Sequence, residues 1–399
     1  MRLKKIFSRS RLTDRRLAAA HNINDLRRIA KRRLPRVIFD FVDGAADDEI
    51  TKNRNIAAFG RYDLYPRVLV DVSQVSTSTT VAGQAIDIPV ILAPTGTNRF
   101  VHYEGELAVQ RSAHRSGTIY SLSTMANTSI EDVAAADNGP RWFQIYVWRD
   151  RALLRGFFDR CRKAKYDALC LTVDVPILGQ RERDLRNGFT IPPRLTLSAM
   201  IDAALHPNWW LRYFFMPKFT LANVTGQEES GRDDVVSLGA FVQRQYDPSV
   251  TWSDLEWMIE NWDGPFVIKG ILRPEDAIRA VEMGVQAIIV SNHGGRQLDH
   301  TPAAIDALAA IVEAVDGRAD VILDGGIRRG SDVVKALALG ATACMIGRPY
   351  LYGLAAAGEP GVDRALAILG DEIRRAMALI GVTSVSELNA SYIRHRPYI

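Results

Sequence analysis

Three short segments concentrate groups able to do chemistry. Ser291-Asn292-His293-Gly294-Gly295-Arg296 sets a histidine and an arginine around two glycines. Asp324-Gly325-Gly326-Ile327-Arg328 and Gly347-Arg348 join glycine amides to guanidinium groups. Asp174 and Arg181 follow a third apolar run, and Lys269 closes a fourth. Histidine is the usual general base near neutral pH, and a carboxylate orients it and stabilises its cation. His293 with Asp174 therefore reads as a base and its partner. Arg296 and Arg181 offer planar forks for a carboxylate. Glycine backbones that admit an anion, beside Arg328 and Arg348, suit a phosphate-bearing ligand. Taken singly, a histidine is more often structural and an arginine more often a surface ion pair. Lys269, ending an apolar strand, is expected to be buried, and a buried cation needs a reason. Stabilising charge that develops on a cofactor is one role, and Schiff-base chemistry is the other.

These residues need elements to position them. Eight short apolar runs alternate with helical stretches: residues 89–93, 117–121, 142–146, 167–172, 265–269, 287–291, 320–324 and 343–346. Runs apolar on both faces, alternating with helices, predict a parallel sheet, and eight such units predict an α/β fold closed as a (β/α)8 TIM barrel. In that barrel the site lies just past the carboxyl ends of the strands. Each run supplies polar groups there: Pro94-Thr95-Gly96, Ser123, Gln144 with Tyr146, Thr172 with Asp174, Lys269, the Ser291–Arg296 segment, Asp324-Gly325-Gly326, and Gly347-Arg348. One polar residue at a strand end is usually a turn, whereas eight converging ones make a site. Loops after the seventh and eighth strands form the usual phosphate site of the barrel. No GxGxxG stands in the context that a dinucleotide fold requires.

Composition bounds the rest. The chain has 399 residues, 47% hydrophobic and 24% charged, which excludes a disordered chain and a small disulfide scaffold. Three cysteines without metal-ligand spacing leave no metal site and suit a reducing compartment. The first 36 residues carry 13 Lys/Arg against Asp14 and Asp25, or +11, and taking that from the total of +4 leaves −7 for the body. Such an arm suits an anionic membrane surface or a solvated helix. It lacks the interleaved aromatics expected for nucleic acid. No signal peptide and no spanning segment is visible, so a cytoplasmic protein is expected, peripheral to the membrane at most. A single domain over 1–399 is expected: a basic arm and helices over 1–88, then the barrel over 89–390. An insertion at about 185–255, after the fourth strand, interrupts it. Asn24 is the expected helix cap in the arm, and VIFDFVDGAADDEIT is expected as a further helical stretch. Residues 206–219 mix tryptophans and phenylalanines with cations, which suits a membrane interface or packing on the barrel or another subunit.

On the long motifs PRVLVDVS, LAPTG, WFQIYV, LTVDVP, VIKGI, SNHGGRQLD, LDGGIRRGSDVVKALALGA and IGRPYLYGLA, the sequence resembles the FMN-dependent L-2-hydroxy acid dehydrogenases and oxidases. The resemblance runs from about residue 21 to 390. It implies FMN as cofactor and oxidation of an (S)-2-hydroxy acid, L-lactate above all, to the 2-keto acid. It implies His293 as base with Asp174, Arg296 and Arg181 as carboxylate clamp, and Tyr146 beside the substrate oxygen. Lys269 then stands near flavin N1 and O2. Pro94, Thr95, Gly96, Ser123, Gln144 and Thr172 match ring contacts. Ser291, Asp324, Gly326, Arg328, Gly347 and Arg348 match ribityl and phosphate contacts. A quinone or another acceptor, a homotetramer and membrane docking through residues 1–36 and 206–219 are further implications. Two positions depart from the family: Phe41 stands where a tyrosine usually meets the substrate carboxylate, and Met125 where glycolate oxidase has tryptophan. Gly96 favours a dehydrogenase over an oxidase. Three alternatives stay open: oxygen as acceptor, a carrier-linked or peptide substrate, and a non-catalytic flavin-binding protein.

Overall fold

The computed structural model describes residues 11–189, 196–211, 220–224 and 245–396. Three strands precede the barrel: β1 (Tyr62–Leu64), β2 (Thr79–Val81) and β3 (Gln84–Ile86). The barrel strands are β4 (Val90–Leu92), β5 (Tyr120–Ser123), β6 (Arg141–Ile145), β7 (Ala168–Thr172), β8 (Phe266–Ile271), β9 (Ala287–Val290), β10 (Asp320–Asp324) and β11 (Ala343–Ile346). They close in sequence order, β11 pairing with β4, and every pair is parallel. A final strand, β12 (Ile393–His395), pairs antiparallel with β1. All eight predicted runs are strands, with β5 displaced two to three residues toward the carboxyl end.

The barrel carries two layers of core. Ile91, Trp142, Cys170, Val267, Ile289, Ile322 and Met345 fill its interior, joined by Val81 and Ile86 of the β2–β3 hairpin, which plugs the end opposite the site. The outward residues of the same strands pack against the surrounding helices. Cys161, Cys170 and Cys344 are free thiols buried in these layers.

The amino-terminal region departs from the expectation of helices alone. Its short strands lack a helical period, and β1 finds its ladder partner only at the far end of the chain. The predicted cap also shifts: Asn22, not Asn24, caps the helix Ile23–Arg33, its side chain accepting from the Asp25 N–H, and the helix ends before Pro35 as Pro demands. The stretch read as one helix is two, Arg36–Asp43 and Ile50–Ala58. Asp299 sets the start of the second by accepting from the Ile50 and Thr51 N–H groups at 3.1 and 2.7 Å. Asp299 is the last residue of the SNHGGRQLD motif, so part of that motif positions a helix.

Candidate active site

The loop after β9 carries the histidine. His293, Gly294 and Gly295 follow one another at φ 58°, 64° and 75°, all left-handed. For histidine that conformation costs on the order of 1–3 kcal/mol and persists only where the surroundings fix it. Here they do. The His293 N–H donates to Ser291 Oγ at 3.0 Å. The Asn292 and Asn55 amides exchange two hydrogen bonds at 2.7 and 2.9 Å. Any Cβ on Gly295 would stand 2.6 Å from the Lys52 backbone nitrogen, so only glycine fits. The ring that results points its Nδ1 at Asp174 Oδ1, 2.9 Å away. Burial pushes the Asp174 carboxyl up, but His293 and Lys269 outweigh it and hold the carboxyl below its usual range. An ionised Asp174 selects the Nδ1–H tautomer and leaves Nε2 free to accept a proton.

Lys269 sits on β8 behind this loop. Its buried ammonium meets Ser291 Oγ and Asp324 Oδ2, each at 3.0 Å, and Ser291 donates to the same carboxylate at 2.6 Å. Burial opposes its charge, yet Asp324 and Asp174 raise its pKa, so the cation is stable in place.

Phe41, Thr95, Gly96, Met125, Tyr146, Arg181, Lys269, His293 and Arg296 line one cavity of about 600 Å³, with Pro94, Ser123, Asp324, Gly326, Arg328, Gly347 and Arg348. The remaining predicted residues stand behind that wall: Asp174 and Ser291 as described, Thr172 buried in register with Lys269, and Gln144 behind Ser123.

One corner of the cavity is cationic. Arg296 is half-buried and spends one nitrogen on the carbonyls of Phe41 and Gly44 at 2.8 and 3.1 Å. Burial and the neighbouring Arg181 and Arg348 all push its pKa down. A guanidinium stays protonated even so, and among the described residues no carboxylate is hydrogen-bonded to this one. Among the described residues the one ion pair of Arg181 is with Asp184, at 3.3 Å. Such a corner calls for an anion.

Other parts of the cavity wall suit a flavin and its phosphate. Gln144 Oε1 accepts from Ser123 Oγ at 3.0 Å, and Nε2 is buried with no partner among the described residues, which suits a ring carbonyl. Gly326 is at φ 82°, and a Cβ there would lie 2.1 Å from the Asn55 carbonyl oxygen. Gly347 begins the helix Arg348–Ala357, whose first amides carry the positive end of a dipole. Arg348 itself is more committed than expected: three of its nitrogens donate to the carbonyls of Val42, Gly294 and Gly44. Its guanidinium ties the amino-terminal region to the His293 loop.

Sequence reasoning missed several lining residues. Phe100 and Phe189 form an aromatic cluster with Phe41, ring centroids 5.0–6.4 Å apart. Tyr246 packs edge-on against Tyr146 at 5.4 Å. Neither phenylalanine stands at a strand end, and Tyr246 comes from the long connection, so no periodic signal marked them.

The family model for FMN-dependent dehydrogenases matches residues 30–395. The chain belongs to the FMN-dependent dehydrogenase family. It is 43% identical over 380 residues to a putative L-lactate dehydrogenase of Mycobacterium tuberculosis, covering 95% of this chain and 90% of that one. It is 44% identical over 376 residues to an L-lactate oxidase of a Nostoc species, covering 93% and 97%. Among solved structures, the monotopic membrane protein (S)-mandelate dehydrogenase superposes with a TM-score of 0.91 at 38% identity, covering 95% of this chain and all of that one. The family member described here is thus an FMN-dependent 2-hydroxy acid dehydrogenase or oxidase. FMN supplies the two-electron acceptor of the reaction when bound, and the orphaned Gln144 amide, the buried Lys269 and the glycine cradle fit it.

Proposed function

We propose that this protein oxidises L-lactate, or a near relative with a small side chain, to the 2-keto acid and passes the electrons to a membrane quinone. The observation that carries this reading is that His293, backed by Asp174 at 2.9 Å, lines one cavity with Arg181 and Arg296. Arg181 and Arg296 hold the carboxylate, and Tyr146 sits beside the substrate oxygen. His293 Nε2 takes a proton from the substrate, Asp174 stabilises the resulting cation, and Lys269 faces the flavin ring. The test is anaerobic: bleaching of the flavin by L-lactate but not D-lactate is expected, and bleaching by neither overturns the reading. Admitting oxygen or a quinone to the bleached protein then decides the acceptor. A second reading, an acid with a larger apolar side chain, is favoured by the wall of Phe41, Phe100, Phe189 and Met125. A kcat/KM that rises along a series from lactate to longer 2-hydroxy acids would establish it.

We also propose contact with the inner face of the cell membrane, with the protein as a homotetramer. The helix Leu197–Ala204 turns its apolar side outward: Leu197, Met200 and Ile201 are 70%, 48% and 55% exposed, and Leu205 follows at 73%. It packs near the helix Arg36–Asp43, with Asp202 accepting from the Arg36 N–H, and Lys31 and Arg36 border it. Exposed apolar groups beside cations suit an anionic bilayer surface. Residues 1–10 and 212–219, parts of the two predicted docking segments, lie outside the described residues. Among the described residues, no helix is long and apolar enough to cross a membrane.

A further inference from the structure

The carboxylate corner contains guanidinium groups and the Phe41 ring, which lies 5.2 Å from the Arg296 guanidinium and 5.8 Å from that of Arg181. A phenyl ring there fills space and donates nothing. A carboxylate has about four lone-pair directions to satisfy, and Arg296 already gives part of its donor set to backbone carbonyls. The described structure holds one phenol near this corner that the strand-end reasoning does not reach. Tyr246 lines the cavity beside Arg181 and Tyr146. Its place is fixed although it comes from the connection between β7 and β8. Tyr246 forms an antiparallel bridge with Trp148, the Arg149 N–H donates to the Gln245 carbonyl at 2.9 Å, and Arg149 Nε donates to the Tyr246 carbonyl at 3.3 Å. The segment is thus latched to the residues just beyond β6, the strand whose end carries Tyr146. Among the described residues the Tyr246 hydroxyl has no hydrogen-bond partner, and neither has that of Tyr146. Burial, and Tyr146 next to it, push the Tyr246 phenol up against the opposing pull of Arg181, so it stays protonated and able to donate.

We propose that Tyr246 donates a hydrogen bond to the substrate carboxylate beside Arg181, supplying from the insertion the hydroxyl that Phe41 lacks. The proposal rests on the 2-hydroxy acid reading of this cavity and adds a substrate-binding residue to it. Two variants of the holoenzyme, Tyr246→Phe and Tyr246→Met, remove the hydroxyl while keeping bulk. Pyruvate, which binds as a carboxylate without turnover, is titrated against the absorbance of the oxidised flavin. Its Kd is expected to rise about tenfold in both variants, and the loss with L-lactate is expected in KM rather than kcat. Adding Phe41→Tyr to Tyr246→Phe is expected to recover most of the lost affinity, because a hydroxyl returns from the other side. Ring packing alone cannot produce that rescue. An unchanged pyruvate Kd in both variants overturns the proposal, as does a loss that Phe41→Tyr leaves untouched. A wild-type flavin that answers neither pyruvate nor any hydroxy acid would sink the parent reading instead, before any Tyr246 variant is made.

Discussion

At the residue scale the proposed roles separate proton handling, by His293, from charge handling, by the arginines. His293→Ala removes the free Nε2 and leaves the phosphate side untouched. Flavin content is expected to persist while anaerobic bleaching by L-lactate falls by at least 10²-fold, the usual range for loss of a general base. Bleaching at the wild-type rate would move the base elsewhere. Phe41→Tyr alone is expected to lower KM for small hydroxy acids. Unchanged KM would show that position 41 does not meet the carboxylate. Gly96→Ala is a packing test, because a Cβ there would lie 2.8 Å from Met125 Cβ. The neighbouring atom is a Cβ fixed by its own backbone rather than a flexible tip, so the backbone must move. A cost of about 1–3 kcal/mol, the range for overpacking, is expected in thermal or urea unfolding, and Gly96→Ala with Met125→Gly, which removes the clashing Cβ, is expected to recover part of that packing cost. The placing of His293, Lys269, Arg296 and Arg348 at one cavity was legible because strand ends are fixed by apolar runs and polar groups follow each of them. Phe100, Phe189 and Tyr246 were not, because tertiary contact alone brings them to the cavity.

At the element scale the loop after β9 and the amino-terminal helices form one unit. Asn55 and Asn292 satisfy each other, Asp299 caps the helix Ile50–Ala58, and Arg348 binds Val42, Gly44 and Gly294 at once. Asn55→Leu would leave the buried Asn292 amide without one of its partners. A loss of about 1–3 kcal/mol of stability is expected, with weakened flavin retention, read by urea unfolding and by flavin release. Normal flavin retention in that variant would show that the loop holds its shape alone. The barrel itself was legible from eight runs of the right length and type. The β2–β3 hairpin and the β1–β12 pair were not: strands of three residues carry too little pattern, and a ladder between chain ends has no local signature.

For the whole molecule, the amino-terminal helices are fastened by a buried carboxylate. Asp43 accepts from Arg27 at 2.6 and 2.8 Å and from the Tyr352 hydroxyl at 2.7 Å. Burial pushes its pKa up, but those partners hold it well below the usual carboxylate range. A depressed carboxylate stabilises the fold above its unfolded pKa of about 3.9, and that contribution is lost as pH falls through the folded value. Wild-type stability is therefore expected to fall below about pH 4 more steeply than that of Asp43→Asn, followed by urea unfolding across pH. Parallel slopes would mean that Asp43 titrates alike in both states. The three cysteines offer another view of the same molecule. Burial pushes all three thiols up, Cys170 to about 12. Only a thiolate reacts quickly, so a thiol reagent at pH 8 should find no target in the folded chain. Its rate of incorporation becomes a clock for opening. Cys170 inside the barrel and Cys161 on an outer helix then report whether the cylinder and its wrapping come apart together or in turn.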